Sequence, residues 1–303
     1  MDQRVVAGFD GSTQSAAASR WAAAEALLHG VPLRLVHVAE SYAVLDVPAA
    51  GSGPRPGYVD ELLRGACEEL RAEYPRLDIG SATLEGRPAE ALAGAAADAT
   101  MLVLGSRGLG TVAGVVLGSV GMAVVHASER PVVLVRAAKD TAPHGRARGG
   151  PPEPRNARGG HAEHRVVVGV DTGHPCEALL AFAFEEAARR HCPLVALHSW
   201  TLPPLAGYGA AYSPEGNARM ADTARAGLDE VLRPWRERCP TVALDARSEA
   251  GRPAEQLLEA GAAADLVVVG RRVRRSRIGG HIGRVTHAVL HHSTAPVAVV
   301  AHT

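Results

Sequence analysis

The chain contains itself twice. RVVAGFD at 4–10 returns as RVVVGVD at 165–171, and VPLRLVHV at 31–38 returns as CPLVALHS at 192–199, both at an offset of 161 residues. Further along, GRPAEAL at 86–92 returns as GRPAEQL at 251–257 and RPVVLV at 130–135 as APVAVV at 295–300, now at an offset of 165. Two constant offsets differing by four residues mean a duplicated domain with a small length change in its middle, and no fold that ignores the repeat is admissible. Between the copies, residues 137–164 are rich in Pro, Gly and Arg and have no apolar period, which marks a linker. The expected organisation is therefore a domain over 1–137, a flexible linker over 138–163 and a second domain over 164–303.

Within each copy, short valine-rich runs alternate with helical stretches. RVVAGFD reads as a buried strand, and TQSAAASRWAAAEALLHG as an alanine-rich helix stopped by glycine. The alternation continues through PLRLVHVAE, YVDELLRGACEELRAEYP, LDIGSATLEG, RPAEALAGAAADA, TMLVLGS, SVGMAVVHAS and PVVLVR. Strands separated by helices require right-handed crossovers and a parallel sheet covered on both faces. The expected fold class is α/β: two tandem doubly wound domains, each an open five-stranded parallel sheet. Such sheets bind ligands beyond the carboxyl ends of their strands, where the winding reverses.

The glycine-rich stretch GSRGLGTVAGVVLGS at 105–119 falls at that edge, after the fourth strand, and DGS at 10–12 falls there after the first. A glycine loop running into a helix presents bare backbone amides and the positive end of the helix dipole, a combination suited to phosphate. Gly105 and Gly108 would let the chain close around phosphate oxygens, with Ser106 and Arg107 beside them, and Gly118 and Ser119 would add an amide and a hydroxyl. The competing reading makes Ser119 an ordinary N-cap. Asp10, with Gly11 and Ser12, is open to two readings as well: an acceptor for an adenine amino group or ribose hydroxyl, or an N-cap for the helix beginning near Thr13.

The pattern G-x2-G-x9-G-[S/T], present as Gly105, Gly108, Gly118 and Ser119, resembles the ATP-binding signature of the universal stress protein family. The resemblance spans residues 4–136 and 165–301 and includes VVAGFDGS, LVHV, GRPAEAL, LGSRGLG and LGSVGMAVVHAS. It implies ATP, with or without Mg2+, as the ligand. Adenine would lie near Asp10 and the backbone of Val38, and the phosphates between Gly105–Gly108 and Gly118–Ser119–Val120. It also implies a role in stress responses and pairing through the last strands, PVVLVR and PVAVVA, within one chain or in a homodimer.

The second copy departs from the signature. Its matching stretch is GRRVRRSRIGGHIGR at 270–284: Gly270 and Gly283 persist, Val273 replaces the second glycine and Arg284 the terminal Ser. Asp171 survives where DGS has become DTG, and Ser199 matches Val38. A β-branched valine resists the positive φ that glycine allows, so the second site is expected to bind ATP more weakly. Five arginines in 271–277, Arg271 among them, would hold phosphate by charge or form a solvated basic loop. Nucleic acid is disfavoured, because Lys+Arg and Asp+Glu both number 32 and no aromatic stacking platform accompanies the arginines. His287 and His291 share a helix face, but no carboxylate motif completes a zinc site.

The sole lysine, Lys139, lies in the linker, and G-x4-G-K-[ST], G-x-S-x-G and H-E-x-x-H are all absent. The expectation is a nucleotide-binding regulatory protein acting on an unknown protein partner. The alternative is a slow ATPase or self-phosphorylating enzyme. Four cysteines without C-x-x-C spacing, no signal-peptide pattern and no apolar run long enough to span a bilayer point to the cytoplasm rather than a membrane.

Overall fold

The computed structural model describes residues 3–39, 57–106, 118–137, 164–201, 214–273 and 282–302. The expected linker at 138–163, with residues 107–117 and 274–281, lies outside the described residues. The chain forms two compact units that part between Ala138 and Lys139.

In the first unit the elements are β1 (Val5–Gly8), α1 (Thr13–His29), β2 (Leu33–Ala39), α2 (Tyr58–Glu73), β3 (Ile79–Glu85), α3 (Pro88–Ala95), β4 (Met101–Ser106), α4 (Ser119–Ala127) and β5 (Val132–Arg136). The strands pair in parallel in the order β3-β2-β1-β4-β5. Val5, Val6, Ala7, Met101, Leu102 and Val103 are wholly buried, which is why these runs are apolar without alternation. Helices α1 and α2 pack together, as do α3 and α4. The winding reverses between β1 and β4, so the carboxyl ends of these two neighbours define the switch point. Helix α1 sits close to the sheet because its inner positions are small: Ser15, Ala18, Ser19, Ala22, Ala23 and Ala26 are all buried.

The second unit repeats the plan with β6 (Val166–Gly169), α5 (Glu177–Arg190), β7 (Leu194–Trp200), α6 (Pro214–Arg238), β8 (Leu244–Ala250), α7 (Pro253–Gly261), β9 (Leu266–Arg272), α8 (Arg284–His292) and β10 (Val297–His302). Its strand order is β8-β7-β6-β9-β10, again parallel throughout. Two differences matter for the site. Helix α5 starts at Glu177, the counterpart of Ala16, so the first turn present in α1 is missing. Strand β10 runs one residue beyond the counterpart of β5.

Candidate functional site

Three segments meet at the switch point of the first unit. The turn after β1 is held by Asp10, whose Oδ1 accepts hydrogen bonds from the Ser12 amide at 3.0 Å and the Ser12 hydroxyl at 2.6 Å. Ser12, not Asp10, is the N-cap of α1, its hydroxyl oxygen accepting from the Ser15 amide at 3.1 Å. Gly11 takes φ +80°, which only glycine adopts without strain, so DGS is a turn built to present Asp10 rather than to cap with it. Burial pushes the Asp10 carboxyl up, but hydrogen bonds from Ser12 and Ser15 outweigh it and hold the group below its usual 3.8. Asp10 is thus an exposed carboxylate at neutral pH.

The second segment is the end of β2. His37 Nδ1 lies 2.9 Å from the Phe9 carbonyl, and the ring nitrogen donates. In a regular parallel ladder that carbonyl would accept from the amide of Val38, because the Phe9 amide already donates to the Val36 carbonyl at 2.8 Å. Among the described residues no such bond forms. The imidazole therefore diverts the Phe9 carbonyl and leaves the Val38 backbone open at the edge where β1 has ended. The second copy does the same: His198 Nδ1 lies 3.0 Å from the Val170 carbonyl, leaving the Ser199 backbone open. The signal was in the sequence, as a histidine recurring at the same repeat position, but its meaning lies in the strand pairing.

The third segment is the glycine stretch. Gly105 has a packing explanation: a Cβ there would stand 2.5 Å from the carbonyl carbon of Gln14 and 2.8 Å from the amide of Ser15, in the first turn of α1. Ser106 is buried, its hydroxyl donating to the Val135 carbonyl at 3.3 Å, and so belongs to the sheet. Arg107 and Gly108 lie outside the described residues. Gly118 is different. It is the N-cap of α4 with φ −57° and ψ 143°, a conformation open to any residue, and a Cβ there would meet nothing within 4 Å among the described residues. Ser119 is the first residue inside the helix and makes no side-chain cap, so the reading of Ser119 as an ordinary N-cap does not hold. The first intrahelical bond is donated by Met122 to the Gly118 carbonyl, leaving the amides of Ser119, Val120 and Gly121 without intrahelical acceptors. Ser119 and Val120 are exposed. Asp10, the Val38 backbone and the start of α4, uncapped by any side chain among the described residues, thus share one edge of the sheet.

In the second copy a cavity of about 520 Å³ occupies that edge, lined by Asp171, His198, Ser199, Gly270, Arg272 and Gly283, among others. Asp171 Oδ1 accepts from the Gly173 amide at 3.0 Å, and its other oxygen lies 3.3 Å from His174 Nδ1. Arg271 is buried and absent from the lining, where its neighbour Arg272 appears instead. Arg284 is exposed at the start of α8. Thr286 donates to the Gly270 carbonyl at 2.7 Å. Cys176 caps α5 through its sulfur, and burial pushes its thiol up, which argues against a nucleophilic thiolate. The rings of His287 and His291 lie 4.3 Å apart, but no third ligating side chain joins them among the described residues.

A family model described as the universal stress protein family matches residues 1–136 and 163–301. A universal stress protein of Mycolicibacterium smegmatis is 34% identical over 311 residues, covering 98% of this chain and 96% of its own. A universal stress protein structure from Archaeoglobus fulgidus superposes with a TM-score of 0.64 at 18% identity, covering 100% of both chains. A universal stress protein solved in complex with cAMP is 30% identical, with a TM-score of 0.36, covering 45% of this chain and 97% of its own. Two matched copies and a relative aligned along nearly its whole length settle the assignment: this chain belongs to the universal stress protein family, with the family domain present twice.

Proposed function

We propose that the chain is an ATP-binding regulatory protein of the stress response, with the nucleotide held chiefly by the first domain. The observation that carries this reading is the coincidence at one sheet edge of an open Val38 backbone, the Asp10 carboxylate and an uncapped α4 start whose Gly118 has no packing or conformational requirement among the described residues. Each end suits a different part of the ligand. The Val38 amide and carbonyl match the donor–acceptor edge of adenine, and Asp10 suits a ribose hydroxyl. The amides and hydroxyl at Ser119–Val120 suit phosphate, with the dipole of α4 adding favourable charge. Bound Mg2+ would arrive on the phosphates, since Asp10 Oδ1 is already engaged by Ser12.

The protein acts by occupancy rather than turnover. This reading is supported by the sequence, where G-x4-G-K-[ST] does not occur and the sole lysine, Lys139, falls in the expected linker. Nucleotide occupancy would then alter contacts with a protein partner. The free cysteines among the described residues suit a cytoplasmic protein, and no described helix is long and apolar enough to cross a membrane. The apolar last strands of each domain favour pairing through their edges, within the chain or in a homodimer. Nucleotide extracted from the purified protein, followed by turnover at saturating ATP and Mg2+, tests the reading. Co-purified adenine nucleotide with negligible product formation is expected; steady multiple turnover would favour the slow ATPase.

A further inference from the structure

We infer that the first domain carries an interaction surface of its own: strand β3 is built to pair with the β3 of a second copy of this chain, antiparallel about a twofold axis at Ala82. β3 begins the order β3-β2-β1-β4-β5, so it lies at the edge of the domain opposite β5 and pairs, among the described residues, with β2 alone. The Leu33 amide donates to the Asp78 carbonyl, and the Gly86 amide to the Ala39 carbonyl. Backbone groups alternate in direction along a strand, so those of Gly80, Ala82 and Leu84 point to β2 and those of Ile79, Ser81, Thr83 and Glu85 point outward. Such a row of outward donors and acceptors is a template for another strand.

The second copy shows a guarded edge at the same place in the fold. Its β8 carries Asp245, Arg247 and Glu249 where β3 has Gly80, Ala82 and Leu84, and Arg247 pairs with Asp245 at 2.6 Å. Charges on an edge strand deter pairing, because an added strand would bury them. β3 has no charge on that face. Ala82 and Leu84 instead line a groove of about 390 Å³ with Val36 and Ala91, flanked by Arg34, the register partner of Gly80.

A second copy is the occupant because β3 complements itself in shape and in charge. The outward Ile79 carbonyl already accepts from the Arg71 guanidinium, which leaves Ser81 and Thr83 to exchange backbone hydrogen bonds. Pairing Ser81 with the second copy's Thr83, and Thr83 with its Ser81, centres the ladder on Ala82. Leu84 then lies opposite the Gly80 of the other copy, where a Cβ would meet nothing within 4 Å among the described residues. Thr83 and Glu85 lie on the α2 face, where the Thr83 hydroxyl donates to Asp60 at 3.4 Å. On that face the same register sets the Glu85 carboxylate opposite the other copy's Ile79, beside its Arg71, and the twofold axis makes this ion pair twice. β8 lacks that charge pattern as well. Ala250 stands in the place of Glu85, and Arg236, the counterpart of Arg71, pairs with Asp229 at 2.8 Å.

A seven-residue strand with its flanks buries less than a standard interface, so association in the micromolar range is expected. Sedimentation velocity on the intact chain, from about 1 to about 300 μM, reads it. The mass is expected to double across that range, and Ala82→Arg, which copies β8, to weaken the association about tenfold or more. Glu85→Ala, again the residue of β8, is expected to weaken it severalfold, and less so at high salt. Pairing through the last strands would leave both variants like the unaltered chain, so the two interfaces are told apart. A mass that Ala82→Arg does not alter at any concentration would overturn the inference. Mild oxidation tests the register without a bulky substitution, should Ala82→Arg fail to fold by circular dichroism. Across the axis the two Ala82 residues form a non-hydrogen-bonded pair with Cα atoms about 4.5 Å apart, within disulfide reach, so Ala82→Cys is expected to give a covalent dimer. Ser81→Cys, which faces Thr83 rather than itself, is expected to give no more than the unaltered chain with its four native cysteines. Equal crosslinking of the two cysteine variants, or crosslinking of neither, would overturn the pairing.

Discussion

His37 Nδ1 donates to the Phe9 carbonyl at 2.9 Å, and that bond keeps the Phe9 carbonyl from the Val38 amide. The same pairing of His198 with Val170 in the second copy shows that it is a property of the domain and not of one loop. Replacing His37 with Ala frees the Phe9 carbonyl to extend the β1–β2 ladder and occupy the amide offered to adenine. One backbone hydrogen bond is worth about 1 kcal/mol net, so ATP affinity should fall roughly fivefold. Calorimetry checks it, and unaltered affinity would show that the Val38 backbone takes no part.

The two glycines at the ends of the loop should separate cleanly. Gly105→Ala places a methyl group 2.5 Å from the Gln14 carbonyl carbon, so it must push α1 away from β4. Overpacking of this kind costs about 1–3 kcal/mol. Gly118→Ala, with nothing within 4 Å among the described residues, should cost less, about 0.5–1 kcal/mol from the poorer N-cap alone. Urea denaturation of both variants gives the comparison. Equal destabilisation would remove the distinction between a packing glycine and a ligand glycine.

That distinction explains what was legible in the sequence. The repeat offsets and the valine-rich runs gave the alternation of strands and helices, because a parallel sheet buried on both faces writes its strands as unbroken apolar runs. The switch point followed from that alternation. The glycine spacing located the site but treated Gly105 and Gly118 as equivalent, since spacing carries no information about what a Cβ would touch. Ser119 was open to two readings, a phosphate-site hydroxyl or an N-cap, and only backbone geometry places the cap at Gly118. The missing turn of α5 was written as Pro175, which disfavours helical backbone at His174, yet its consequence for the cavity needed His302 and Leu179 in place. Arg271 and Arg272 are indistinguishable in a run of arginines. Strand alternation buries one and leaves the other lining the cavity.

The Asp10 turn makes a pH prediction. The carboxyl is held below 3.8 in the folded chain, so its contribution to stability is fully present above the unfolded value and is lost as pH falls through the folded one. The gap in Tm between the unaltered chain and Asp10→Asn should therefore be largest at neutral pH and close below 3.8. A thermal melt series across that range checks it. A gap that widens on acidification would mean that desolvation, not hydrogen bonding from Ser12 and Ser15, dominates.

His191 ends α5 with φ +50°, where its counterpart Gly30 ends α1 with φ +65°. A left-handed conformation costs a side-chain-bearing residue about 1–2 kcal/mol, partly offset by the greater freedom of glycine in the unfolded chain. Since the His191 side chain is exposed, His191→Gly should stabilise the second domain by roughly 0.5–1 kcal/mol, read from its urea midpoint. A loss of stability would show that the imidazole makes a contribution beyond its backbone.

Isothermal titration of ATP into the intact chain and into Gly118→Val distinguishes an ATP site at the start of α4 from a simple helix start. Gly118 has a backbone conformation open to valine and no described neighbour for a side chain to strike, so the substitution should be felt chiefly by the ligand, the fold losing only about 1 kcal/mol through the poorer N-cap. One dominant ATP site is expected in the unaltered chain, reduced at least a hundredfold in Gly118→Val, with the urea midpoint lowered only slightly. ATP binding of undiminished affinity and stoichiometry in Gly118→Val would contradict it.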